Sequence, residues 1–177
     1  MNKPSNYKKT QIKEPNDIVK ILMNEMQYEK REIAKIILLD NKNVITKIKD
    51  IAIGGNNFVS IGMKDILSEA VKTNAPKIIL VHNHPGGNPT PSQQDIEVTK
   101  KLEMSAKLLG IQLIDHIVIG KGEYMSIKTI EKWKKETNIG FVLDGHPPVN
   151  VGYKFAAKDK ERYGIIKNVT DKGYYTN

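Results

Sequence analysis

Apolar residues fall along this chain in two rhythms. After Pro15, Ile18, Ile21, Leu22 and Met26 recur at helical spacing, with Asn16 or Asp17 placed to cap the helix. Ile33 to Leu39 is a continuous apolar run broken only by Lys35, the pattern of a buried strand. Asp40 to Asn43 reads as a turn, Val44 to Ile53 as the partner strand, and Gly54-Gly55-Asn56-Asn57 as a loop. A second helix is expected from about Lys64 to Thr73, burying Ile66, Leu67, Ala70 and Val71. Ile78 to Val81 predicts a third strand that runs straight into His82-Asn83-His84-Pro85. Beyond a loop rich in Gly and Pro, Ser92 opens a long helix to about Leu109, which Gly110 ends. Gln112 to Ile119 and Tyr124 to Ile127 follow as strands, and Ile130 to Glu136 as a short helix.

Strands and helices in this order predict a single mixed α/β domain over residues 16–137, a central sheet with flanking helices. Its first strand pair is a hairpin, so the sheet is not purely parallel. Residues 1–15 are polar and lysine-rich, and are expected to form a basic, disordered tail. From Asn138 the periodicity degrades, and 138–177 is expected as an irregular extension packed locally through Phe141, Val142, Tyr153 and Phe155.

The chain has no cysteine, which excludes disulfides, thiolate metal sites and a cysteine nucleophile, and suits a reducing compartment. The first residues lack the apolar core of a secretory signal, and no apolar run is long enough for a bilayer. A cytoplasmic protein with no membrane partner is expected. The net charge of +8 raises the question of nucleic acid. Residues 1–15 and 145–177 each carry +3, leaving 18 basic and 16 acidic residues between them. The excess is therefore mostly terminal. The few aromatics do not interleave with basic residues as a base-stacking platform requires, so nucleic-acid binding through the tails is not favoured.

Candidate chemistry concentrates in VHNHPGGNPTPSQQD, residues 81–95. Side chains alternate along a strand, so His82 and His84 share a face while Asn83 points to the other. Asp95 lies one turn into the following helix, where its carboxylate can turn back to the strand end. Two imidazoles and one carboxylate make a three-ligand set with a fourth tetrahedral position open, the pattern of a catalytic zinc site. Each piece also has a plainer role. The histidines could simply close a strand, and Ser92-x-x-Asp95 fits a capping box.

The spacing H-x-H-x7-S-x2-D, complete in His82, His84, Ser92 and Asp95, resembles the JAMM (MPN-plus) metalloprotease motif. The wider stretches KREIAKIILLDNKNVI, AVKTNAPKIILVHNHPGGNPTPSQQDIEVTKKL and LLGIQLIDHIVIG resemble the bacterial RadC-type branch of that superfamily, over about residues 28–137. The resemblance implies an MPN/JAB fold of cytidine-deaminase-like architecture, and one zinc ion held by His82, His84 and Asp95. It further implies an oxyanion-stabilising hydroxyl on Ser92 and an upstream glutamate as general base and acid. Glu29 and Glu32 are the local candidates. Glu32, immediately before the strand at Ile33, is where the pattern places that acid. Asp115-His116, in DHIVIG, is shared with the pattern, but the zinc mechanism gives it no role: a buried strand pair satisfied by backbone groups is the favoured reading, and a support to the metal site or a contact to substrate the sharper one. His146 lies outside the resemblance.

Two departures stand out. RadC-type proteins commonly carry an N-terminal helix-hairpin-helix region associated with DNA binding, for which the residues before position 28 are too few. The stretch SIGMKD lacks the usual Pro-Arg before the middle helix, which bears on substrate contacts rather than on the metal. The expected activity is thus zinc-dependent hydrolysis of a peptide or isopeptide bond in a protein or peptide substrate. The alternatives are a metal-binding DNA-repair accessory or nuclease of the RadC group, and a silent MPN scaffold, the last disfavoured by the complete ligand set.

Overall fold

The computed structural model describes residue 7 and residues 9–53, 62–130 and 155–156. Its elements are α1 (Pro15–Met26), β1 (Ile33–Leu39), β2 (Ile45–Ile53), α2 (Met63–Thr73), β3 (Lys77–Asn83), α3 (Gln93–Leu108), β4 (Gln112–Ile119), β5 (Glu123–Ser126) and the two-residue β6 (Phe155–Ala156). The loop expected at 54–57, most of the helix expected at 130–136 and nearly all of 138–177, including His146, lie outside the described residues. Among the described residues no helix is long and apolar enough to cross a membrane.

One mixed sheet runs β2-β1-β3-β4-β5-β6. The β3/β4 pair is parallel, connected through α3, and every other pair is antiparallel. The interior strands are buried on both faces, which is why β1 and β3 read as nearly unbroken apolar runs. Ile37, Leu39, Ile79 and Val81 face α1, packing on Ile18, Leu22 and Met26. Their neighbours Ile36, Leu38, Ile78 and Leu80 face the other way, onto Ile66 and Ala70 of α2 and Leu102 and Ala106 of α3. Lys35, the one charge within β1, is buried but paired with Asp50 and with Glu25 of α1 at 3.0 Å.

Three expectations need correction. Residues 10–12 are part of the fold rather than a loose tail: Ile12 is buried, and its N–H donates to the Asn43 carbonyl at 2.8 Å. The cap of α1 is Glu14, with Pro15 at the first helical position. Asp17 sits at N3, its carboxylate accepting the Glu14 and Lys13 N–H groups. In α2, Val71 is 54% exposed, and Glu69 takes the buried place instead. Glu69 is tolerated there because Lys47 and Lys49 of β2 clamp it at 2.5 and 2.7 Å.

Candidate metal centre

The topology brings four chain segments to one point. The face that carries Ile78 and Leu80 continues through His82, so the His82 ring faces α3 at the C-terminal end of β3. Strand β1 runs antiparallel beside it, with Ala34 opposite His82, which puts the start of β1, and hence Glu32, at the same edge. His84 lies just past the strand, its N–H held by the Ile119 carbonyl at 2.8 Å. Helix α3 starts nearby with Ser92 as N-cap and Asp95 at N3.

Glu32, His82, His84 and Asp95 together form a group that could hold a metal ion, one ligand atom from each lying within 4.8 Å of the others. The two histidines face each other through Nε2 at 3.0 Å. Asp95 Oδ1 is 3.2 Å from His82 Nε2, and Oδ2 is 3.3 Å from His84 Nε2. Zinc bonds of 2.0–2.2 Å in a tetrahedron separate ligand atoms by about 3.3–3.6 Å, so the two imidazole nitrogens and the Asp95 carboxylate stand close to the edges of such a polyhedron. Glu32 Oε1 stands further off, 3.8 Å from His82 Nε2. His82 and Asp95 are buried, whereas the His84 and Glu32 side chains keep 22% and 19% of their surface exposed, which leaves the cluster open on one side.

The hydrogen bonds around the cluster fit a cation. His84 Nδ1 lies 2.8 Å from the Asn88 carbonyl, which can only accept, so that nitrogen carries the proton and Nε2 is left as a lone-pair donor. Burial alone would lower the His84 pKa, but the Asp95 carboxylate and the Asn88 carbonyl outweigh it and raise it. Burial likewise pushes Asp95 up, yet bonding to His82, His84 and Ser92 takes it well below the usual carboxylate range. Both directions describe a pocket that favours positive charge. His116, fully buried behind His82, is moved well below the ordinary imidazole value by that burial and by His82, and stays neutral.

Capping and ligand geometry prove compatible on one carboxylate. Asp95 Oδ2 accepts the Ser92 N–H and the Ser92 hydroxyl, both at 2.7 Å, while Oδ1 is turned toward His82. The Ser92 Oγ in turn accepts the Asp95 N–H at 3.1 Å, completing the capping box. The Ser92 proton is thus given to Asp95 in this arrangement.

Asn83, on the opposite face from the histidines, has a role that strand alternation did not reveal. Its Oδ1 accepts the Ile33 N–H at 2.7 Å, and its Nδ2 donates to the Arg31 and Glu29 carbonyls at 3.2 and 3.4 Å. This clamp ties the segment carrying Glu32 to the strand carrying both histidines. The Glu29 side chain itself is exposed. His116 is likewise more than a buried strand residue, since its Nε2 lies 2.7 Å from His82 Nδ1. Asp115 instead accepts backbone N–H groups, from His116 at 2.7 Å and Lys128 at 3.3 Å. Gly120 closes the loop from behind: a Cβ there would stand 2.2 Å from the Gly87 carbonyl oxygen and 2.7 Å from Pro89 Cδ.

Fold and site define a mixed α/β domain with a His–His–Asp cluster at a strand end and the Glu32 carboxylate beside it. A family profile described as the RadC-like JAB domain matches residues 12–133, and the chain belongs to that family. Among similar proteins are UPF0758 proteins of Clostridium novyi (strain NT), 43% identical, and of Clostridium botulinum (strain Loch Maree / Type A3) and Clostridium tetani (strain Massachusetts / E88), each 44% identical. Each match covers 117 residues, 66% of this chain and 51% of the relative, so the chain spans about half the length of these relatives.

Proposed function

We propose that this chain is a zinc-dependent hydrolase of the JAMM type, cleaving a peptide or isopeptide bond. The observation that carries the reading is the convergence of His82 Nε2, His84 Nε2 and an Asp95 carboxylate within 3.0–3.3 Å, with Glu32 beside but outside that triangle. Zinc suits two imidazoles and one carboxylate, and when bound it supplies Lewis acidity, polarising a carbonyl and easing the ionisation of water.

The remaining work falls to the protein. His82, His84 and Asp95 hold the ion, and Asn88 and Ser92 orient two of those three ligands. Glu32 takes a proton as water attacks the amide carbon, and returns it to the nitrogen as the C–N bond breaks, releasing a carboxylate and an amine. Asn83 keeps Glu32 at that distance through the backbone on either side of it. Ser92 supplies the hydroxyl for the developing oxyanion by rotating away from Asp95.

The test is incubation of zinc-loaded protein with linear peptides, isopeptide-linked conjugates and DNA. The expected result is release of new amino groups from an amide substrate, abolished by chelation and by Glu32→Gln. Cleavage of DNA alone would overturn the reading in favour of the nuclease alternative.

A further inference from the structure

Behind His82 runs a chain of three short contacts. Thr99 Oγ1 lies 2.6 Å from the Asp95 backbone carbonyl oxygen and 2.6 Å from His116 Nδ1, and His116 Nε2 lies 2.7 Å from His82 Nδ1. Thr99 and His116 are both fully buried. They meet because β4 carries a register shift between its pairings at Ile78 and Ile79 of β3, which skips Ile114 and sets His116 opposite Leu80. His116 therefore shares the face of Leu80 and His82, toward α3, where Thr99 lies one turn beyond Asp95.

Each contact needs one hydrogen, and one end of the chain fixes where every hydrogen goes. A carbonyl oxygen can only accept, so the Thr99 hydroxyl donates to Asp95 O. With its only proton spent there, Thr99 Oγ1 must accept from His116, which puts the His116 proton on Nδ1. A neutral imidazole protonated at Nδ1 accepts at Nε2, so His82 Nδ1 must donate to it. In the neutral His82 ring Nε2 is then the lone-pair atom, and it is the atom that points at His84 and Asp95. Running the chain backwards would leave two acceptors 2.6 Å apart at Thr99 and Asp95, and would put a proton on His82 Nε2 inside the cluster.

We infer that Thr99 and His116 are positioning residues which lock His82 into the Nδ1–H tautomer and so preset its Nε2 as a metal ligand. The inference rests on the metal-centre reading above. It gives His84 and His82 matching devices: the Asn88 carbonyl sets the first and the Asp95 carbonyl, through two relays, sets the second. Because that carbonyl belongs to Asp95, one residue supplies a carboxylate to the metal and a backbone oxygen to the tautomer of its co-ligand.

The test reads tautomers and metal affinity, with no substrate. The chain has four histidines, so nitrogen NMR of the metal-free, histidine-labelled protein resolves each ring. In the wild type His82 and His116 should both appear protonated at Nδ1. Thr99→Val removes the hydroxyl at nearly constant volume and should shift His82 toward Nε2–H, with zinc affinity, measured against a competing chelator, falling about 10–100-fold. Thr99→Ser keeps the hydroxyl and should restore both readouts. A wild-type spectrum with His82 protonated at Nε2 overturns the inference without any variant. So does a Thr99→Val protein with unchanged spectrum and affinity. Wild type that shows the expected tautomers yet takes up no zinc would instead refute the metal-centre reading and leave the hydrogen-bond chain standing.

Discussion

Asp95→Asn separates two jobs that the structure loads onto one carboxylate. An amide at position 95 retains one oxygen to accept the Ser92 N–H, now accepted by Oδ2 at 2.7 Å, but its other end is an NH2 aimed at the histidine nitrogens. The capping loss is bounded at roughly 0.5–2 kcal/mol. Metal loss is a separate term. A ligand present at one hundred times its dissociation constant stabilises the fold by about 2.7 kcal/mol, and for a domain of this size that is roughly 5–11 °C in Tm. Thermal unfolding of wild type and variant, each with excess zinc and again with chelator, reads both. Chelator should lower the wild-type Tm by that amount and leave Asp95→Asn where it was. The two proteins compared in chelator should then differ by the cap and by the Asp95 contacts to His82 and His84. An equal chelator effect on both would show that Asp95 is a capping residue alone, and the three-ligand reasoning would fail.

Other consequences are as direct. Glu32→Gln should bind zinc normally and lose turnover of an amide substrate by about 10²–10⁴-fold, whereas Glu29→Gln, altering an exposed side chain, should match wild type in the same assay. Gly120→Ala has no room against Gly87 O and must displace the loop that holds Asn88 against His84, so its zinc affinity should fall by about 10-fold or more in a chelator competition. Glu69 is held at about 2, against 4.5 ordinarily, by bonds from Lys47 and then Lys49. Its folded pKa is depressed, so its contribution is present above 4.5 and disappears as pH falls toward 2; the stability gap between wild type and Glu69→Gln in urea titrations should close over that window.

The sequence made visible whatever depends on uninterrupted burial or on local spacing. Strands β1 and β4 are buried along nearly their whole length, so their apolar runs and their bounds coincide. Helix α3 announces itself through Ser92 and ends at Gly110, whose φ of +71° suits glycine. Strand β3 runs two residues past Val81, through His82 and Asn83, because β1 and β4 pair with it there; polarity alone suggested an earlier end. Long-range partnerships were illegible. Glu69 is buried only because two lysines on β2 reach it, and Ile12 only because its neighbour Gln11 bridges to Val44. The histidine and aspartate positions carry a recognisable spacing. Thr99 carries none, since a threonine within a polar helix becomes informative only when a register shift in β4 sets His116 beside it.

The proposed function stands on one zinc ion held by His82, His84 and Asp95. Elemental analysis of the purified protein, after dialysis against trace zinc, reads that ion without any substrate. One zinc per chain in wild type, falling to background in the His82→Ala/His84→Ala double variant while its circular dichroism stays folded, is the result this geometry predicts. Stoichiometric zinc in the double variant, or none in the wild type, would contradict it.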